Sequence, residues 1–242
     1  LFGYIPSWLG SKLSALTSKD FVATHQSYVD ATPVVADAQV GTNWKTVLVG
    51  GTGAGGRGVY ALDVTDPTAF SASKVMWEFT PAADIDSGDS NYSLGYVVGR
   101  PQILKFRTSA KDAAPTYKWF AVVASGVNNY VPDAAGHFST TGRPAIYLLD
   151  LAKPASQAWS LGTNYYKISI PVDSTLSSTQ PTGALNFKVA LGTQQEVTKL
   201  FVGDLHGKLW KLDFSPWGTE HWNMAELSAF RTGKEPYPLY IA

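Results

Sequence analysis

Lys199-Leu200-Phe201-Val202-Gly203-Asp204-Leu205-His206-Gly207-Lys208-Leu209-Trp210-Lys211-Leu212-Asp213 holds two short apolar strands and the turn that joins them. Asp204 and Gly207 make the turn, because an Asp side chain bonds nearby amides and Gly accepts positive φ. The same unit stands twice upstream. TVLVG at 46–50 passes through a glycine-rich loop to GVYALD at 58–63, and FAVVASG at 120–126 leads on to AIYLLD at 145–150. Val47 and Val49 point to one side of their strand and Leu48 to the other, as a sheet packed on both faces requires.

Each copy extends by one candidate strand on either side. Upstream stand 31–37, 99–104 and 184–189; downstream stand three Trp-bearing segments at 75–79, 158–161 and 221–224. Four strands per unit, repeated with turn chemistry between them, predict an all-β chain: a β-propeller with four-stranded antiparallel blades. The expected blades are 28–80, 94–163 and 182–228, in a single domain 1–242. Partial blades are expected at both ends, as strands at 1–6 and 237–242. Known propellers close with roughly four to eight blades, so three complete blades read as an excerpt of a larger protein. Only 14–17 hints at a helix. Ser/Thr/Pro/Gly-rich insertions at 108–115, 130–142 and 164–181 read as long loops on the propeller faces, where such scaffolds carry function.

Composition narrows the function classes. The 242 residues carry 19 Lys+Arg and 19 Asp+Glu, so no global field draws the chain to nucleic acid or anionic lipid. Aromatics reach 13% and charged residues only 16%, which suits sheets packed on sheets. The absence of cysteine excludes disulfides, thiolate catalysis and Cys-ligated zinc. No apolar run approaches the roughly 18 residues of a membrane-spanning helix, so no membrane insertion is expected in this segment.

Few residues suggest chemistry. Asp84, Asp86 and Asp89 present carboxylates at close spacing and form the one calcium candidate, although the regular one-three-five run and distal Glu of a calcium loop are missing. Gly51-Thr52-Gly53-Ala54-Gly55-Gly56 satisfies the dinucleotide pattern G-x-G-x-x-G. A strand follows it where a helix is needed, so it reads as a glycine hairpin. His25, His137, His206 and His221 are isolated. Asp204 reads as a turn residue, and Asp63, Asp150 and Asp213 as architecture, because they recur in every unit. Trp77, Trp159, Trp210 and Trp222 read as packing between blades; Trp8, Trp44 and Trp217 fall outside that register and are candidates for exposure.

Several blocks resemble the C-terminal propeller of the PilC/PilY-type tip proteins of bacterial type IV pili. These are YVDATPVVAD at 28–37, WKTVLVGG at 44–51, GGRGVYALDVTDP at 55–67, LGYVVGRP at 94–101 and FVGDLHGKLWKLDF at 201–214, with YIPSWL at 4–9 and LSALT at 13–17 matching the family's entry into the domain. The resemblance implies a non-enzymatic role at the pilus tip: pilus biogenesis, retraction control and twitching, adhesion and surface sensing. It implies export to the cell surface, in the fimbrium or associated with the outer membrane, with minor pilins and a host-cell or abiotic surface as partners. Many members hold calcium in an Asp-rich loop before the strand that enters the Gly-Asp-Leu turn. The matching stretch here, 190–198, has Glu196 as its one carboxylate, so that calcium loop reads as degraded. The alternatives are a quinoprotein dehydrogenase propeller of the PQQ type, which shares the Leu-Trp-Lys-Leu-Asp block, and a lectin-like propeller that reads glycans through exposed aromatics.

Overall fold

A computed structural model describes residues 2–84, 94–127, 143–177 and 179–242. The first sheet holds β1 (Val34–Val40), β2 (Asn43–Gly51), β3 (Val59–Asp63) and β4 (Val75–Phe79) in chain order. The second contains β5 (Gln102–Arg107) and β6 (Tyr117–Ala124) and, after the two-residue β7 (Gly126–Val127), β8 (Ala145–Asp150) and β9 (Tyr165–Ser169). In the third, β10 (Gly183–Leu191), β11 (Val197–Asp204) and β12 (Lys208–Asp213) precede a small ribbon, β13 (Arg231–Thr232) with β14 (Glu235–Pro236), and end on β15 (Tyr240–Ile241). The ladders between these strands are all antiparallel, and the order is that of propeller blades. β7 pairs with β10 and stitches the second blade to the third.

Two-residue periodicity decides which blade each side chain meets. Ala121, Val123, Tyr147 and Leu149 of the second blade join a core with Val47, Val49, Trp77 and Phe79 of the first. Their neighbours Phe120, Val122, Ile146 and Leu148 join the other core, with Leu200, Val202, Trp210 and Leu212 of the third. The middle blade is therefore packed on both faces, and every residue of β8 is buried. Each large apolar side chain so enclosed contributes roughly 1.5–3 kcal/mol, which makes these two seams the main source of cohesion.

Three expected strands fall elsewhere. The segment 158–161 is a loop, and the outer strand of the second blade is β9, beyond the expected limit of 163. The segment 221–224 runs from the end of a 3₁₀ turn, Thr219–His221, to the start of a short helix, Met224–Leu227, and β15 completes the third blade as its outermost strand, so 237–242 does not begin another blade. The aromatic residues explain both errors. Trp159 and Trp222 plug the seams from loops: Trp159 against Trp77, Phe79 and Tyr165, and Trp222 against Phe106, Phe120, Tyr166 and Phe214. Interblade wedges demand aromatic area, whatever the backbone that carries it.

The strand expected at 1–6 is not formed by residues 2–6, and Leu1 lies outside the described residues. Side chains hold this stretch instead of a ladder. Phe2 stacks on Phe70 at 3.8 Å, and the Tyr4 hydroxyl and Ser7 amide donate to the Glu78 carboxylate at 2.5 and 2.8 Å. The chain continues as a 3₁₀ segment, Ser7–Thr17, and crosses the first blade to reach β1.

Candidate functional site

Alternating strand directions collect the loops on two opposite faces. Among the described residues, one face carries the glycine loop 51–58, residues 84, 94–101, 125–127, 143–144, 170–177 and 179–182, and the turn 204–207. The other carries the turn at 41–42 and residues 64–74, 108–116, 151–164, 192–196 and 214–223. Of the long insertions expected on the faces, 130–142 and position 178 lie outside the described residues.

On the second face the Leu-Asp end of each blade builds the same staple. Asp63 accepts the Thr65 amide at 3.1 Å and pairs with Lys45 at 3.0 Å. Asp150 accepts the Ala152 amide and pairs with Lys118, both at 2.8 Å. Asp213 accepts the Ser215 amide at 2.9 Å and pairs with Lys199 at 2.5 Å. Burial works to raise the Asp63 and Asp213 carboxyls, but hydrogen bonds and the adjacent lysines outweigh it and hold both below the usual range. The repeated acids are thus consumed in architecture.

Of the calcium candidate, Asp84 is the one carboxylate among the described residues. Asp84 faces into the seam between the first and second blades, where its Oδ2 accepts from the Leu94 amide at 3.0 Å, the Tyr147 hydroxyl at 2.7 Å and Lys167 Nζ at 3.1 Å. Both side chains of the ion pair are buried, and the ammonium stands where a cation would be needed. Burial pushes the Asp84 carboxyl up against the pull of Lys167. Asp86 and Asp89 lie outside the described residues. In the 190–198 stretch, a tight hairpin turn joins β10 to β11, and Glu196 Oε2 accepts the Gln194 amide at 2.9 Å.

The glycine loop holds protein, not a ligand. A β-carbon at Gly55 would collide with the Tyr28 carbonyl, and one at Gly58 with the Trp8 ring. Lys12 Nζ donates to the Gly55 carbonyl at 2.6 Å, and Asp30 Oδ1 accepts the Ala54 amide at 2.9 Å. Asp204 Oδ1 accepts the His206 and Lys208 amides at 2.9 and 3.0 Å, while Oδ2 accepts Trp210 Nε1 at 2.8 Å. His221 stands 2.9 Å from Glu226, with its ring against Trp217.

Among the open concavities of the described residues, two are lined by polar and aromatic side chains from more than one strand. A groove of about 650 Å³ follows the inner strands and is lined by Val34, Arg100, Gln102, Asn186, Phe187 and Lys188. A cleft of about 340 Å³ opens on the Leu-Asp face, between Gln39, Lys105, Tyr117, Lys118, Trp119 and Asp150. Trp44 stands edge-to-face with Trp119 at 5.8 Å and is 63% exposed. Of the three tryptophans outside the blade register it is the one the structure leaves open. The cleft itself was not legible in the sequence, because its residues come from four strands of two blades and the turns beside them.

Comparison with known proteins gives a consistent result. The family described as "PilY1 beta-propeller domain" matches residues 4–220. A type IV pilus biogenesis factor PilY1 homolog from Xylella fastidiosa is 30% identical over the whole chain, which spans 14% of that relative's length. Type IV pilus biogenesis factor PilY1 of Pseudomonas aeruginosa is also 30% identical over the whole chain, which spans 18% of it. The crystal structure of the Pseudomonas aeruginosa PilY1 C-terminal domain superposes with a TM-score of 0.61 at 25% identity, covering all of this chain and 41% of that one.

Proposed function

The chain belongs to the PilY1 β-propeller family, and from that premise we propose that it is a non-catalytic binding module of a type IV pilus biogenesis factor. In this reading it acts at the pilus tip or cell surface after export. There it contacts minor pilins and supports assembly, retraction control, adhesion and surface sensing. The family match over residues 4–220 carries the reading. The site chemistry agrees with it: the repeated acids Asp63, Asp150 and Asp213, together with Asp84 and Asp204, hold turns, lysines and blade seams. No helix among the described residues is long and apolar enough to cross a membrane.

Deletion of the gene, with complementation by the intact copy, tests the reading. Surface pili, twitching and attachment should fall on deletion and return on complementation. Unchanged pili and attachment would overturn it.

A further inference from the structure

We propose that the cleft beside Trp44 binds an acidic sugar residue, of the uronic acid class, within a polysaccharide. Large aromatic side chains are mostly buried in folded proteins, and Trp44 breaks that pattern at 63% exposure. Its position is nonetheless fixed: it is the second residue of β2, just past the turn at Gly41, which has φ +64°, and it packs against Trp119. The adjoining cleft of about 340 Å³ has Trp119 and Tyr117 as its aromatic surface. Pockets of roughly 300–1,000 Å³ are usual for small ligands, so one or two pyranose rings fit. Aromatic rings suit pyranoses because the C–H face of the sugar packs on the π cloud while its hydroxyls remain free for polar groups.

The polar lining chooses among sugars. Asp150 is already engaged by Lys118 and the Ala152 amide. Among the described residues the Gln39 amide makes no hydrogen bond, and the Lys105 ammonium makes none beyond its 5.2 Å approach to the Tyr117 ring. Two lysines against one carboxylate leave the cleft with one excess positive charge, and its open donors call for acceptors and a negative group. A uronate supplies both: its carboxylate meets Lys105 and its ring hydroxyls meet Gln39 and Lys118. A nucleotide fits less well. The Trp44 and Trp119 rings are 70° apart, which leaves no parallel slot for a base between them.

Calorimetric titration of the full-length protein with trigalacturonate tests the proposal, with maltotriose as a neutral sugar of the same length and ADP as the nucleotide probe. Trigalacturonate should bind at least about tenfold more tightly than maltotriose or ADP. Trp44→Ala and Lys105→Met should each weaken it about tenfold, with unchanged unfolding midpoints. Absence of binding, equal binding of the neutral sugar, a preference for ADP, or full affinity in both variants would overturn the proposal. The inference goes beyond the pilus role and does not depend on it.

Discussion

Trp159 Nε1 donates to the Glu78 carbonyl at 2.7 Å, so a loop of the second blade caps the outer strand of the first. The same Glu78 holds Tyr4 and Ser7 through its carboxylate. One residue therefore joins three separate parts of the chain. Trp159→Phe keeps the ring and removes the donor, and should cost about 1–2 kcal/mol. Trp159→Ala also opens the seam and should cost about 3–5 kcal/mol. Urea unfolding at unchanged m-value measures both.

Asp84 and Lys167 form a buried pair, and breaking it from one side leaves a charge without its partner. Lys167→Met should cost about 3–5 kcal/mol, whereas Asp84→Asn combined with Lys167→Met should recover much of that loss. A double-mutant cycle read by chemical denaturation gives the coupling; additive losses would contradict a paired role.

The pH dependence has two opposing parts. Asp63 and Asp213 are held below the usual carboxylate range, so their stabilisation is present above that range and is lost as pH falls through their lowered values. Asp84 is raised by burial, so its contribution is present at acid pH and is lost as pH rises through its raised value. The variant with both Asp63→Asn and Asp213→Asn should therefore show a flatter acid limb than the native chain. Thermal unfolding across the acid range provides the comparison.

Asp204 supports the turn and the Trp210 indole with different oxygens. Asp204→Ala should cost about 3 kcal/mol, since the buried Trp210 indole and two half-buried amides lose their acceptor, a loss of up to about 1–3 kcal/mol for a fully buried donor and less for a half-buried one. Asp204→Asn can keep the turn amides but sets an NH₂ group against the indole N–H, so about 1–2 kcal/mol should be lost. Equal losses in the two variants would show that the indole bond contributes nothing separable.

The first blade was the most legible in the sequence. Its four strands are short, apolar and closely spaced, and the structure forms all of them. The outer strands of the other two blades were misread, because Trp159, partly buried, and Trp222, buried, pack into the seams from loops, and a packed aromatic looks the same in sequence whether its backbone pairs or not. Asp204 and the Leu-Asp acids were legible as architecture, since turn chemistry is local. The partner of Asp84 was not: Lys167 is 83 positions away, and only the packing of two blades brings it near. The cleft at Trp119 was hidden for the same reason.

The N-terminal segment should come free when the glycine loop is altered. Gly55→Ala places a methyl group on the Tyr28 carbonyl, and relief of that overlap should cost about 1–3 kcal/mol. Proteolysis and hydrogen exchange within 18–28 should rise, while β6 and β8 remain protected.

That contact also explains why the loop imitates a cofactor motif. A dinucleotide fold removes β-carbons so that a pyrophosphate can approach the backbone; here the approaching object is the chain's own peptide group at Tyr28. A glycine pattern thus reports how near a neighbour comes, and is silent on what that neighbour is made of.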